Sequence, residues 1–545
     1  MTSMMAGKPA GRGTLTGRQQ LRGMLLPRLF LIMLAAAVAG CSGLPKNTHR
    51  PETSAFSNTA DTSLGAAAAR LSAGRKSDSG FIPLSEGLDA FAARVILAQN
   101  AERSLDLQYY IWRDDQAGKL LGAALFDAAE RGVRVRLLLD DIGLDAPDRR
   151  LLSFDDHPNI EIRLFNPVVH RNTPGMSALL SFRRINRRMH NKAFIADNQF
   201  CIVGGRNIGA EYFDADTEVN FDDFDVLATG PVAQEVSDSF DLYWNSEYAI
   251  PVAEIVTQPA EPLEQIAAEL EQHLQTVAGS RYVQALKESN FQARIRNGSL
   301  PLYWGQAHVV YDDPAKLGVD RDEQDTHLLT RLKPLLDEVE EEAIIISAYF
   351  IPGKQGTRKL TDLARRGVRV RVLTNSLAAT DVGAVYAGYA KYRLPLLQAG
   401  VELYESKPAP DAGDRNRREQ KFTASGSSRT ALHTKIYVFD RNEILVGSLN
   451  LDPRSREINT ELGVLFENRD FGNEVASMWE NNIDSFAYEL KLSKPESATG
   501  DEAYSLYWQE QQGQKQKIDH VGPETGFWRR FGVGVMRILP IESQL

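Results

Sequence analysis

Two histidines stand in the same local pattern, His190-x-Lys192-x4-Asp197 and His433-x-Lys435-x4-Asp440. With nine histidines, 62 lysines and arginines and 72 acids in 545 residues, composition alone predicts about 0.13 such spacings, even when any base and any acid is allowed. The agreement continues downstream. Asn207 and Asn450 each follow their histidine by 17 residues, and Glu218 and Glu461 by 28, within the matching stretches Val203-Gly-Gly-x-Asn207 and Val446-Gly-Ser-x-Asn450. In a period-two strand, residues i and i+2 share one face, so the histidine and lysine of each motif can reach one anion. Two such strands brought together offer two imidazoles and two ammonium groups, a set suited to a phosphodiester. The lysines offset charge on the non-bridging oxygens, and Asn207, Asn450 and the Ser448 hydroxyl can donate to them. One imidazole can attack phosphorus while the other protonates the leaving alcohol. Glu218 and Glu461 are suited to accept from the far ring nitrogens and so fix the tautomers. The bland alternative, surface strand pairs followed by turn residues, fits one copy as well as it fits any exposed strand. It does not fit two copies in register.

The elements that must position these groups are themselves repeated. Arg131-Gly-Val-Arg-Val-Arg-Leu-Leu-Leu139 matches Arg366-Gly-Val-Arg-Val-Arg-Val-Leu-Thr374. Each follows an amphipathic run (119–130, 358–365) and an apolar, aromatic one (105–112, 343–351). The spacing predicts strand, helix, strand in both halves, with the glycine at the helix C-terminus. Gly132 and Gly367 are 235 residues apart and the histidines 243, a difference that belongs in a loop. The expected fold is therefore α/β: two similar lobes, each a mixed sheet flanked by helices, related by a pseudo-two-fold axis around one shared active site. The expected boundaries are 81–255 for lobe 1, 256–300 for a helical linker, 301–495 for lobe 2 and 496–545 for a tail.

Composition, at 43% hydrophobic and 25% charged, is that of a globular chain. Net charge is −10, and the first 40 residues carry five basic groups and no acid, so the remainder stands at −15. Such a chain has no global attraction for nucleic acid, and none is expected as a partner. Two cysteines, Cys41 and Cys201, exclude a disulfide framework. The other histidines (His49, His157, His170, His273, His308, His327, His520) show no metal-ligand spacing, so no metal site is expected.

At the N-terminus the five basic residues precede an apolar run, Leu29–Gly40, too short to span a bilayer but suited to a secretory signal over 1–40. It ends in Val38-Ala39-Gly40-Cys41, which resembles the bacterial lipobox and implies lipidation of Cys41. Several acyl chains give stable anchoring where one gives only marginal binding. The expectation is a protein of the bacterial envelope facing the periplasm, with Ser42 favouring the outer membrane. Residues 41–80, rich in Ser, Thr, Ala and Gly, read as a flexible tether with at most a short helix near 65–71.

The paired motifs resemble those of the phospholipase D superfamily from about Phe81 to Leu490. The text at 104–112, 131–141, 374–381 and 540–545 is similar to the bacterial cardiolipin synthase C group. The resemblance implies two-step transfer through a phosphohistidine with no metal and no cofactor. His190 would be nucleophile and His433 general acid, or the reverse, with Asp197 and Asp440 structural. Gly205 stands where the second copy has Ser448, so one hydroxyl contact is missing from the first half. Three activities follow: phosphatidyl transfer between glycerophospholipids, hydrolysis to phosphatidic acid, or nucleic-acid cleavage, the last opposed by charge. A non-catalytic scaffold is opposed by two complete motifs. The implied partner is a phospholipid membrane, and the internal repeat implies a monomer.

Weaker candidates are Asp140 and Asp141, at a strand end beside the expected site, and two basic clusters: Arg183, Arg184, Arg187 and Arg188, then Arg415, Arg417, Arg418 and Lys421. Either cluster could hold anionic headgroups. In the tail, Phe527, Trp528, Phe531, Val535, Ile538 and Leu539 fall on one helical arc opposite Arg529, Arg530 and Arg537, with Val533 and Met536 interrupting. That pattern predicts a helix lying in a lipid interface, weakened by Gly532 and Gly534.

Overall fold

The apolar runs beside each motif become strands buried along their whole length. In the computed structural model, Ser104–Tyr109 pairs in parallel with Arg134–Asp140, which pairs in parallel with Ile160–Phe165. On the other side of Ser104–Tyr109 come Ala193–Ala196, Phe200–Gly204 and Asp225–Thr229, each antiparallel to its neighbour. The second half repeats the arrangement. Glu342–Ser347, Arg369–Asn375 and Glu402–Ser406 run parallel, followed on the other side by antiparallel Lys435–Phe439, Glu443–Gly447 and Leu462–Glu467. The helices Gln116–Glu130 and Gly353–Arg365 connect the first parallel pair of each sheet. Gly132 and Gly367 follow their C-caps at φ 91° and 97°, the left-handed region where a Cβ would be strained.

Among the described residues the two mixed sheets have nine and ten strands. Those residues are 50–75, 77–168, 182–215, 220–288, 293–294, 301–318, 327–408, 430–494, 504–512 and 515–537. The described parts of 48–167 and 183–545, which hold both sheets, form one compact unit. Between the sheets lies a shared core, in which Val203 and Val226 from the first half join Val446 and Val464 from the second. Phe81 stacks on Phe466 with ring centroids 4.1 Å apart. Cys201 lies in this core, its thiol pushed up to about 12 by burial, so it packs as a small apolar residue.

Three expected boundaries shift. Residues 50–56 are a strap along the first lobe rather than a tether: Thr53 O accepts from Arg136 at 3.0 Å, and Thr53 Oγ1 from Trp244 Nε1 at 2.9 Å. The buried Arg136 also donates to Asp106 at 2.6 Å and to Asp241 at 2.7 Å, so the strap completes its set of acceptors, and Ser63–Leu71 then forms a helix. Tyr303–Gly305, expected in lobe 2, closes the first sheet against Ser79–Phe81, and the chain enters the second sheet at Ala307. The hairpin Ser505–Gln512/Lys515–Asp519, expected in the tail, extends the second sheet. In the linker stretch, Leu263–Val277 and Arg281–Glu288 are helices.

The motif aspartates hold the central strands. Asp197 and Asn198, like Asp440 and Arg441, have φ near +50°, as the two central residues of a type I′ turn require. The Asp197 carboxylate accepts backbone N–H groups of Glu102, Arg103 and Ser104, and that of Asp440 accepts those of Glu340, Glu341 and Glu342. Each hairpin is thereby pinned to the start of its neighbouring strand. Asp197→Ala should therefore cost about 2–3 kcal/mol of stability by orphaning buried donors. Thermal unfolding should show the loss, with turnover at 20 °C of the protein that remains folded little changed. A wild-type melting temperature would refute the assignment.

Candidate active site

His190 and His433 end the short segments that enter the two hairpins, and both line one cleft of about 520 Å³ with Asn207 and Asn450. The histidines are clamped crosswise. The N–H of His190, in the first half, donates to Thr460 O of the second half at 2.9 Å, and that of His433 donates to Asp222 O of the first half at 2.7 Å. The rings follow the same rule. His190 Nδ1 lies 2.8 Å from Glu461 Oε2, and His433 Nδ1 lies 2.5 Å from Asp223 Oδ2. With Nδ1 occupied in both rings, Nε2 is the nitrogen left for chemistry.

Asp223 was not among the residues singled out from sequence. Glu218, which matches Glu461 by distance from its histidine, lies outside the described residues. The strand register aligns Val226 with Val464, each opposite the residue before its motif glycine, which makes Asp223 the counterpart of Glu461. The first half therefore carries five more residues between asparagine and carboxylate than the second. Comparing the strand that follows, rather than counting from the histidine, would have found it.

The Gly205/Ser448 difference follows from this pair. A Cβ on Gly205 would stand 2.1 Å from Asp223 Oδ1, so the shorter acid fills the space that a side chain would take. In the second half, Ser448 is fully buried, donates to the Glu461 carboxylate and accepts from Leu462 N at 3.0 Å. It stands behind His190, not at the cleft where a phosphate contact was expected. Asn207 lines the cleft with its Oδ1 accepting from Ile111 N at 3.1 Å and its Nδ2 donating to the Tyr212 hydroxyl at 3.0 Å. Asn450 Oδ1 accepts from Tyr349 N at 3.4 Å.

Lys192 and Lys435 are buried, each donating to the carbonyl of its own motif histidine. Burial pushes both ammonium groups down, Lys192 to about 7. Burial and the two lysines hold His190 well below the usual histidine range. His433 is lowered by burial and Lys435, against the opposing pull of Asp223. The carboxylates diverge. Burial would raise Asp223, but His433 and Lys435 outweigh it and hold it at about 2, whereas burial lifts Glu461 to about 7 against the pull of Lys192.

Asp140 and Arg188 have structural work. Asp140 accepts from Met189 N at 2.9 Å and from Arg188 at 3.1 Å, bracing the residue before His190. Its repeat counterpart Asn375 does the same before His433, accepting from Leu432 N at 3.1 Å and donating to Leu432 O at 2.7 Å. Asp141 is buried beside it and does not line the cleft. Arg184 and Arg187 bond to carbonyls of Pro167 and Leu317, so these arginines hold backbone rather than headgroups. The cluster at 415–421, Cys41 and His170 lie outside the described residues. Among the described residues no cluster of three or more His, Cys, Asp or Glu is placed to hold a metal ion.

The lowered lysine gives a signed pH dependence. Above pH 7 the empty cleft has shed the Lys192 proton, and a bound anion must recover it. Affinity for dimethyl phosphate, which does not titrate in this range, should fall by up to about tenfold per pH unit from 7 to 9 and level off below 7. Calorimetry in buffers of different ionisation enthalpy should register proton uptake. A flat profile would contradict the lysine assignment.

Residues 95–244 and 332–485 match the family model described as cardiolipin synthase, PLD-like domain. Cardiolipin synthase C of Escherichia coli K12 is 40% identical over 469 residues, 85% of this chain and 95% of its own. Cardiolipin synthase B of the same strain is 24% identical over 69% of this chain and 73% of its own. The crystal structure of phosphatidylserine synthase from Haemophilus influenzae Rd KW20 covers 85% of this chain and 95% of its own, with a TM-score of 0.52 at 14% identity, a likeness of fold. A family match in both halves, with identity of this extent along most of the chain, makes this protein a member of the cardiolipin synthase family, with its phospholipase D-like domain in two copies.

Proposed function

We propose that the chain makes cardiolipin by transferring a phosphatidyl group from one glycerophospholipid to a hydroxyl of phosphatidylglycerol. The observation that carries this reading is the pair of histidines, each held through Nδ1 by a carboxylate of the other lobe and facing one cleft. In the first step His190 Nε2 attacks phosphorus, the bond from phosphorus to the leaving alkoxide breaks, and His433 gives that oxygen its proton. In the second, the acceptor hydroxyl gives its proton to His433 and attacks phosphorus, and the bond to His190 breaks. The lysines offset charge on the non-bridging oxygens, and Asn207 and Asn450 face the same cleft.

The unequal carboxylates support these roles. An ionised Asp223 stabilises an imidazolium at His433, as a general acid needs. A carboxyl at about 7 behind a neutral His190 leaves that ring free to attack. Aromatic rings beside both histidines favour transfer over hydrolysis by limiting water: Tyr110 lies 5.2 Å from His190, and Phe221 and Tyr212 lie 5.2 and 5.5 Å from His433, centroid to centroid. One chain supplies both halves of the site, which supports a monomer.

Product analysis on vesicles of phosphatidylglycerol with phosphatidylethanolamine should yield cardiolipin, and phosphatidic acid alone would overturn transfer. In the same assay His190→Ala and His433→Ala should each lose about two to four orders of magnitude. With a p-nitrophenyl leaving group, which needs no acid, His433→Ala and Asp223→Asn should recover a first-turnover burst and His190→Ala should not. The opposite pattern would exchange the two roles.

We also infer that the mature chain begins at an acylated Cys41 and is held in the bacterial envelope, facing the periplasm, with the outer membrane favoured. Support comes from the basic start, the apolar run and the small residues before Cys41. Mass spectrometry of the mature N-terminus tests it: an unmodified terminus at any other residue refutes the anchor.

A further inference from the structure

The segment Phe527–Met536 forms a helix, and the residues that interrupt its apolar arc are the ones that dock it. Val533 is buried in the core of the second lobe, and Met536 packs against that core. Val533 packs beside Gly383, at the start of the helix Gly383–Ala390, where even a Cβ would stand in ordinary contact with Val533 Cγ2 at 3.7 Å. Arg529 donates to Thr380 O at 2.6 Å.

The opposite face is bare. Phe527 is 63% exposed, Trp528 78%, Phe531 56% and Val535 46%. Of twelve exposed large apolar side chains among the described residues, four lie in these ten residues. The three rings touch one another, with centroids 5.3 to 6.3 Å apart, and form one patch. On the other sides of the helix Arg529 and Arg537 are exposed and Arg530 is half-buried. The helix is tied to a segment that reaches the active cleft: Thr380, which holds Arg529, precedes Asp381, a cleft residue that accepts from the Tyr349 hydroxyl at 2.7 Å.

We propose that this helix is a docking surface for an anionic phospholipid bilayer, which it grips with its aromatic face and arginines so that the cleft opens onto the lipid surface. Aromatic side chains prefer the headgroup boundary, and arginines at its edge match the charge of the lipids. The apolar face and the guanidinium groups belong to one element fixed to the cleft wall, so insertion sets the orientation of the site. This rests on the lipid-acting reading above, and a protein that acts on lipid needs its cleft at the bilayer.

The test uses the full chain with phosphatidylglycerol vesicles, either plain or carrying bromine on the acyl chains, a short-range quencher of indole fluorescence. The emission difference between wild type and Trp528→Phe isolates Trp528, and bromine should remove about half of it or more. Phe527→Ser/Phe531→Ser should lower turnover on vesicles about tenfold and leave turnover of soluble bis(p-nitrophenyl) phosphate as in wild type. Equal Trp528 emission on the two vesicles would overturn the proposal. So would equal losses on both substrates with a lower melting temperature, or a vesicle-free dimer that the double substitution dissolves, which would make a second copy the occupant. Quenching in a protein that makes no cardiolipin would overturn the proposed function and leave the docking surface standing.

Discussion

Each histidine ring hydrogen-bonds to a carboxylate from the other half, His190 to Glu461 and His433 to Asp223, and the rest of the architecture has to permit those two bonds. All four groups are buried. A buried carboxylate or imidazole without its partner costs several kcal/mol, so neither half could hold its site alone. The sheets must therefore face each other in one register. The shared core of Val203, Val226, Val446 and Val464, with Phe81 on Phe466, fixes the separation. The backbone bonds from His190 to Thr460 and from His433 to Asp222 fix the register beside the rings themselves. Asp140 and Asn375 complete the support by holding the residue before each histidine.

Duplication gives two equal sites, whereas acid–base chemistry needs unequal ones. The difference is made behind the histidines. Asp223 is one methylene shorter than Glu461 and sits in the space that Gly205 vacates, under the charge of His433 and Lys435. Glu461 reaches further, takes the Ser448 hydroxyl, and is dominated by its own burial. One carboxylate stays ionised and the other rises to near neutrality, although the strands carrying them are equivalent. Pushing two proton affinities apart by environment is how paired titratable groups acquire separate roles.

The sequence disclosed the repeat, the two hairpins and the strand-helix-strand units because each rests on local patterning with a period of two or of 3.6. It also disclosed both histidines, both lysines and both asparagines, since the hairpin has the same length in the two halves and keeps their separations equal. Glu218 shows where that stops. A five-residue loop difference carries no periodicity, so counting from the histidine gives the wrong acid while strand register gives Asp223. The strap at 50–56 was illegible for another reason. Its bonds go to Arg136, Arg163 and Trp244, far along the chain, and low apolar content hid them. The arginines of 184–188 look like a headgroup-binding cluster in sequence because nothing local announces that Asp140, Asn166 and Leu317 await them.

The same burial that hid these partners explains how an acidic chain binds an anion. At −10 overall, its long-range field repels phosphate, and attraction has to come from groups within reach of the ligand. Two buried lysines and two imidazoles supply it, and burial lowers the proton affinity of each, that of Lys192 to about 7. Each lysine amine is held beside its own histidine by a hydrogen bond to that residue's carbonyl. The ligand's charge favours the protonated forms, and their charge in turn holds the ligand. Cationic character at the site thus comes from a few buried groups beside the histidines, within a chain whose net charge is −10.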